Sequence, residues 1–236
     1  IHQRQYKSLL IGIRRILIIG VMILIQEQRG TWNMLEELFN KYGCDKAVKH
    51  NYHTVYEPEF DTIRNESINI LEVGVFKGDS VRAWLEFFPN ATIYGIDIFT
   101  RVKPEDIDVL QHERVKWLKA DSTNIAVRDQ IKKEWPRIRF DIIIDDGLHT
   151  PDANAKTLHN LFPLMKKTGR FYVEDVWPLD IMTTSEMQHH WVKKHPERYN
   201  ILEMNKFTAQ IDNKSIKRFD LRKSTGEPDS YIIRVQ

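Results

Sequence analysis

Ile70-Leu71-Glu72-Val73-Gly74-Val75-Phe76-Lys77-Gly78-Asp79-Ser80 reads as an aliphatic strand that passes through two glycines into the start of a helix. Gly74 lets the backbone turn tightly, and Gly78 lets a ligand come close to the helix N-terminus. The G-x-x-x-G spacing lacks the second glycine of the dinucleotide fingerprint, which argues against a pyrophosphate pocket. Glu72, two residues before the first glycine, argues the same way and suits a cationic partner. A plain structural strand–turn–helix is the competing reading of this stretch.

The flanking sequence sets the turn in an α/β pattern, with short β-branched runs alternating with amphipathic stretches. Six runs read as strands: Ile68–Val73, Thr92–Ile98, Val115–Lys119, Phe140–Asp145, Gly169–Val173 and Tyr231–Val235, with a weaker seventh near Tyr199–Met204. Helices are expected over Asp79–Phe88, Pro104–His112, Thr123–Glu134, Asp152–Lys166 and Thr184–Lys194. Thr150-Pro151-Asp152 starts the fourth, with proline in a first turn where its missing N–H costs nothing. Lys206–Asp229 reads as a long polar connection before a last, antiparallel strand. Five of the ten glycines (Gly74, Gly78, Gly95, Gly147 and Gly169) sit at strand ends or turns of this unit. They point to the carboxyl edge of the sheet, where open α/β folds bind ligands.

Two more strand ends carry acids. Asp97 follows the glycine turn by about twenty residues, the distance at which a carboxylate accepts both hydroxyls of a ribose. Asp121, after the third run, could accept a hydrogen bond from an adenine amino group. Each has an alternative role as a helix cap or solvated turn. With Glu72-x-Gly74-x-x-x-Gly78, Asp97 and Asp121-Ser122, the chain resembles the class I S-adenosylmethionine-dependent methyltransferases, from roughly Leu35 to Gln236. The resemblance implies a Rossmann-like fold, a mostly parallel seven-stranded sheet with helices on both faces. It also implies that the Gly74–Gly78 loop passes the methionine part of S-adenosylmethionine, Asp97 holds the ribose and Asp121 reaches the adenine. Ser80, Phe99, Ser122 and Asp145 flank these positions and count with Glu72 as cofactor-contacting residues. Phe76 is a departure, since many members carry a third glycine there.

The fourth strand runs into Asp145-Asp146-Gly147-Leu148-His149 and the fifth into Glu174-Asp175. If these strands are neighbours, Asp146, Glu174 and Asp175 converge, and three carboxylates raise one another's pKa unless a cation lies between them. All-oxygen ligands select a hard ion, Mg²⁺ first, with Mn²⁺ or Ca²⁺ as alternatives. His149 lies beside them with the intrinsic pKa of a general base; as a lone histidine it would read as a helix cap. The paired motifs are similar to the metal-dependent sugar O-methyltransferases of macrolide and related pathways, the mycinamicin 2-hydroxyl methyltransferase type. That resemblance implies metal binding by Asp146, Glu174 and Asp175 and proton abstraction by His149, with Asp145 the next candidate base. The approach segment Asn40-Lys41-Tyr42-Gly43-x-Asp45-Lys46, then His50-Asn51-Tyr52-His53-x-x-Tyr56, is also similar to such relatives.

Composition bounds the rest. The 236 residues are 42% hydrophobic and 29% charged, a globular balance. Residues 1–33 hold five Lys/Arg against Glu27, leaving 30 positive and 32 negative charges in the remainder. Such a balance gives no footprint for nucleic acid. Leu9–Ile25 is apolar but interrupted by Arg14-Arg15, too short and charged for a membrane span. Three readings stand for residues 1–33: a truncated anchor, a buried element, or an upstream stretch outside the fold. The abrupt change of pattern at Met34 favours the last, with residues 34–236 as the methyltransferase domain. The lone Cys44 reads as a free thiol in a reducing compartment, hence the cytoplasm. His189-His190 cannot share a helix face, and Trp84, Phe87 and Phe88 suit a buried helix side. Trp177 reads either as a ring that stacks on a sugar or as packing.

The expected function is transfer of methyl from S-adenosylmethionine to a hydroxyl of a sugar or polyol-containing small molecule, assisted by Mg²⁺. No nucleic acid or membrane partner is expected, and a homo-oligomer is allowed for. The alternatives are a catechol or other oxygen chelate as acceptor, or a non-catalytic cofactor-binding accessory, as similar cephalosporin-pathway proteins suggest.

Overall fold

The computed structural model describes residues 34–236. The readings made for residues 1–33 lie outside the described residues. Seven strands, β1 (Asn69–Val73), β2 (Thr92–Asp97), β3 (Val115–Lys119), β4 (Phe140–Asp145), β5 (Met165–Val173), β6 (Ile216–Asp220) and β7 (Tyr231–Val235), form one sheet. Their order is β3-β2-β1-β4-β5-β7-β6. The first five are parallel, while β7 runs antiparallel between β5 and β6. This is the Rossmann-like arrangement of class I methyltransferases.

Strand alternation explains why both faces are covered. Ile70, Ile93, Ile142, Ile144, Tyr172 and Ile232 enter one apolar cluster, and Leu71, Val73, Ile96, Ile143, Phe171 and Ile233 the other. Side chains that alternate between two buried faces need helices on each. The first cluster is closed by α1 (Met34–Tyr42), α2 (Asp45–Val48), α3 (His53–Phe60) and α4 (Asp79–Phe87). Trp84 is fully buried at its centre, edge-on to Phe39 (5.1 Å between ring centroids) and Tyr56 (5.6 Å). The second is closed by α5 (Val127–Glu134), α6 (Pro151–Leu161), α7 (His190–Lys194) and α8 (Ile201–Ile211); a short α9 (Arg222–Thr225) lies outside both. Thr150 caps α6 by accepting the Ala153 N–H, as its position before Pro151 predicts.

Three expectations need correction. The seventh strand is not Tyr199–Met204: Asn200 accepts the Glu203 N–H as a helix cap, and α8 buries Met204, Phe207 and Ile211 at helical spacing. The strand is instead β6, inside the stretch expected to be a polar connection. Its charged Lys217 and Arg218 are those of a sheet edge, where charge blocks further pairing. Pro104–His112 is two 3₁₀ turns, Pro104–Asp106 and Asp108–Gln111, because Ile107 takes an extended conformation to bury its side chain. Thr184–Lys194 likewise breaks at His189 into a 3₁₀ turn and α7.

Among the described residues no helix is long and apolar enough to cross a membrane.

Candidate active site

The three central strands β1, β4 and β5 deliver the site because their ladder continues past their ends. Asp146 N–H donates to the Val73 carbonyl (3.0 Å) and Glu174 N–H to the Asp145 carbonyl (3.0 Å). Gly74, Asp146 and Glu174 therefore emerge side by side. Gly74 has φ +89°, and a Cβ there would lie 2.0 Å from the Asp146 carbonyl oxygen. Only glycine allows the two loops to touch. Gly78 (φ +78°) precedes α4, and a Cβ would lie 2.6 Å from Val109 Cγ1.

Six non-glycine residues among those described have positive φ, and four of them, Phe76, Phe99, His149 and Asp175, lie in the loops leaving β1, β2, β4 and β5. Backbone strain of this kind gathers at functional sites. Phe76 adopts at φ +49° the conformation for which a glycine is the easy choice.

Asp97 organises the cofactor side. Its two carboxylate oxygens accept the N–H of Phe76 (3.0 Å) and of Phe99 (2.6 Å), which ties the glycine loop to the end of β2. Asp121 is exposed and accepts from the Thr123 N–H (2.9 Å) and hydroxyl (2.7 Å), within a turn that precedes α5. Ser122 is buried, with its hydroxyl 2.8 Å from Thr157 Oγ1. Ser80 donates to Glu72 (2.9 Å), and Glu72 is buried, pushed up to about 7 by desolvation against the pull of Lys46. Asp145, also buried, accepts from Asn154 Nδ2 (3.2 Å), and burial lifts it to about 6.

The carboxylates expected as a trio are split into two layers. Asp146, His149 and Asp175 each offer one ligand atom, all within 4.8 Å of one another. His149 Nε2 lies 3.6 Å from Asp146 Oδ1 and 4.0 Å from Asp175 Oδ2. Glu174 sits deeper, with one oxygen on the Lys46 ammonium and the other accepting the Tyr56 hydroxyl. Desolvation pushes Glu174 well above the usual carboxylate range. Burial acts against charge on Asp175 too, but His149, His50 and the Tyr52 hydroxyl outweigh it and hold Asp175 low. Burial also opposes a charged His149, yet Asp175, Asp146 and Asp145 raise its pKa overall. His149 Nδ1 is buried with no partner. Two carboxylates with a third behind them form an all-oxygen donor set that fits a hard divalent cation, with the His149 imidazole beside it.

Lys46, His50, Tyr52 and Tyr56 were given no role by sequence reasoning, yet they line this edge. Lys46 lies 2.5 Å from Asp146 Oδ2, is bonded to Glu174 and is 3.8 Å from Glu72 Oε1. The cationic partner that Glu72 suits is thus supplied by the chain itself. Tyr52 donates to Asp175 (2.6 Å) and to the Asp229 carbonyl (3.2 Å), and His50 Nδ1 is 2.9 Å from Ser230 Oγ. Their segment is similar to relatives, but its local pattern does not reveal these contacts, because most of the partners lie roughly 100 residues or more away along the chain. Trp177 is buried against Tyr199 (5.2 Å) and His189 (5.1 Å), in the packing role.

A parallel sheet with a glycine loop, an acid after β2 and ligands at its carboxyl edge defines a methyltransferase architecture, and the chain belongs to the methyltransferase-domain family, whose model matches residues 64–225. Among individual proteins it is similar to mycinamicin VI 2''-O-methyltransferase of Micromonospora griseorubida, 30% identical over 151 residues, 61% of this chain and 36% of that protein. It is also similar to 8-demethyl-8-alpha-L-rhamnosyl tetracenomycin-C 2'-O-methyltransferase of Streptomyces olivaceus, 30% identical over 150 residues, 58% of this chain and 37% of that protein. The chain thus matches little more than a third of the length of these relatives. The solved structure of the MycE methyltransferase from the mycinamycin biosynthetic pathway, in complex with Mg, SAH and mycinamycin VI, shares the fold. Its TM-score is 0.62 at 23% identity, over 86% of this chain and 54% of that one.

Proposed function

We propose that this chain uses S-adenosylmethionine and Mg²⁺ to methylate a hydroxyl on a sugar or polyol-containing small molecule. The observation that carries the reading is the contact between Gly74 and the Asp146 carbonyl, which sets a cofactor-type loop directly against the Asp146–His149–Asp175 cluster. The relatives' names supply the acceptor class, since one of them acts on an α-L-rhamnosyl compound.

S-adenosylmethionine supplies an electrophilic methyl on a sulfonium, and Mg²⁺ supplies a Lewis acid that lowers the pKa of a hydroxyl. Asp97 fixes the shape of the loop after β1 through the Phe76 and Phe99 amides, and would hold the ribose of the cofactor. Asp146 and Asp175, with Glu174 behind them, would hold Mg²⁺. His149 takes the acceptor's proton on Nε2, the nitrogen that faces the two aspartates. Those aspartates alone favour imidazolium; with Mg²⁺ held by the same carboxylates their pull on His149 would weaken, so that the neutral imidazole would be the base.

The test is incubation with labelled S-adenosylmethionine and a panel of glycosides, polyols and catechols, with and without EDTA. Label should pass to a glycoside or polyol only when divalent cation is present. Transfer to catechols alone would move the acceptor class, and cofactor binding with no transfer to any acceptor would make the domain an accessory.

A further inference from the structure

The carboxyl edge of the sheet gathers four carboxylates, Glu72, Asp146, Glu174 and Asp175, of which Glu72 and Glu174 are fully buried. Left to themselves such groups repel and resist desolvation, so the loops after β4 and β5 would separate until a cation arrived. The chain places a cation there itself. Lys46 is 1% exposed, and its ammonium meets three of the four acids, from three different strands. It comes from α2, a single turn whose Val48 is exposed.

We propose that Lys46 is a positioning residue that acts as the built-in counter-cation of the site. It holds Glu72, Asp146 and Glu174 together before a divalent ion binds, docks the segment Met34–Phe60 on the sheet edge, and competes with that ion for Asp146 and Glu174. The competition rests on the Mg²⁺ reading above; the docking and charge balance do not.

Lys46→Met separates these effects. In EDTA its melting temperature should fall by roughly 10 °C, the scale of breaking a buried ion pair in a domain of this size. Saturating Mn²⁺ should restore most of that loss while raising the wild type much less. Mn²⁺ itself, followed by electron paramagnetic resonance, should bind Lys46→Met at least roughly tenfold more tightly, because a positive charge beside two ligands is gone. A merely structural lysine would leave Mn²⁺ affinity unchanged or weakened, which would overturn the proposal. If Lys46→Met does not fold, Lys46→Met/Glu72→Gln removes one buried acid with the cation and should fold in EDTA. Failure of that double variant to recover would also overturn the proposal. Absence of Mn²⁺ binding to wild type defeats the divalent reading alone, leaving the EDTA comparison to judge Lys46.

Discussion

His149 Nε2 faces Asp146 Oδ1 at 3.6 Å, three residues on along the same loop, and His149 reaches that position only by adopting φ +56°. Strained backbone here aims the imidazole back over the end of β4. The proposed base and the proposed metal ligand are thereby held by one tight turn, yet they should fail in different ways.

Replacing His149 with Ala should lower methyl transfer by roughly 10²–10⁴-fold while S-adenosylhomocysteine affinity stays within about twofold. Part of the rate should return at higher pH, where the acceptor ionises without help, and added Mg²⁺ should not restore it. An unchanged rate would pass the base role to Asp145.

Asp146→Asn removes charge from the cluster proposed to hold the ion and the anionic partner of Lys46 at this position. Activity should drop, the residue of activity should need roughly tenfold more Mg²⁺, and excess ion should recover part of it. Activity of wild type in EDTA equal to that in Mg²⁺ would remove the ion from the mechanism.

Gly74→Ala puts a methyl 2.0 Å from the Asp146 carbonyl oxygen and asks an L-residue to hold φ +89°. Both loops must move, so calorimetry should show S-adenosylhomocysteine and Mn²⁺ binding each weakened by roughly tenfold or more. Loss of only one would mean that the loops adjust independently.

Glu57 tests a pH dependence away from the site. Its carboxylate accepts the N–H groups of Met34 (3.0 Å) and Leu35 (3.2 Å) at the start of α1, and burial pushes it up from 4.5 to about 7. The fold therefore favours the protonated form. The stability this confers is complete below about pH 4.5 and is lost as pH rises through about 7. Urea midpoints between pH 5 and 8 should decline less in Glu57→Gln, the two profiles diverging by on the order of 2 kcal/mol. Parallel profiles would show that Glu57 titrates normally.

Much of the fold was legible because β1, β2, β4, β7 and the buried end of β5 carry clustered β-branched and aromatic residues; the polar start of β5, residues 165–168, was not read as strand. β6 was not legible, since an edge strand has one neighbour and can be charged throughout; Ile216 and Phe219 are too sparse to show period two. Glu72, Gly74, Asp97, Asp146, His149, Glu174 and Asp175 could be read because each lies at or just past the end of a strand in sequence. The roles of Lys46, Tyr52 and Tyr56 could not: their segment shows likeness to relatives, but they reach the same edge from α2 and the start of α3, and nothing local says what they touch there. The split of the carboxylates into two layers depends on Lys46 and stayed hidden with it.

The contacts of Tyr52 with Asp229 and of His50 with Ser230 span 177 and 180 residues. During synthesis the ribosome therefore releases the first half of this corner long before the second. A nascent chain that has already made the cofactor loop still lacks the hairpin that closes around Asp175. The corner around Asp175 is in this way the last part of the sheet edge to be completed, and a chain terminated before Asp229 lacks it.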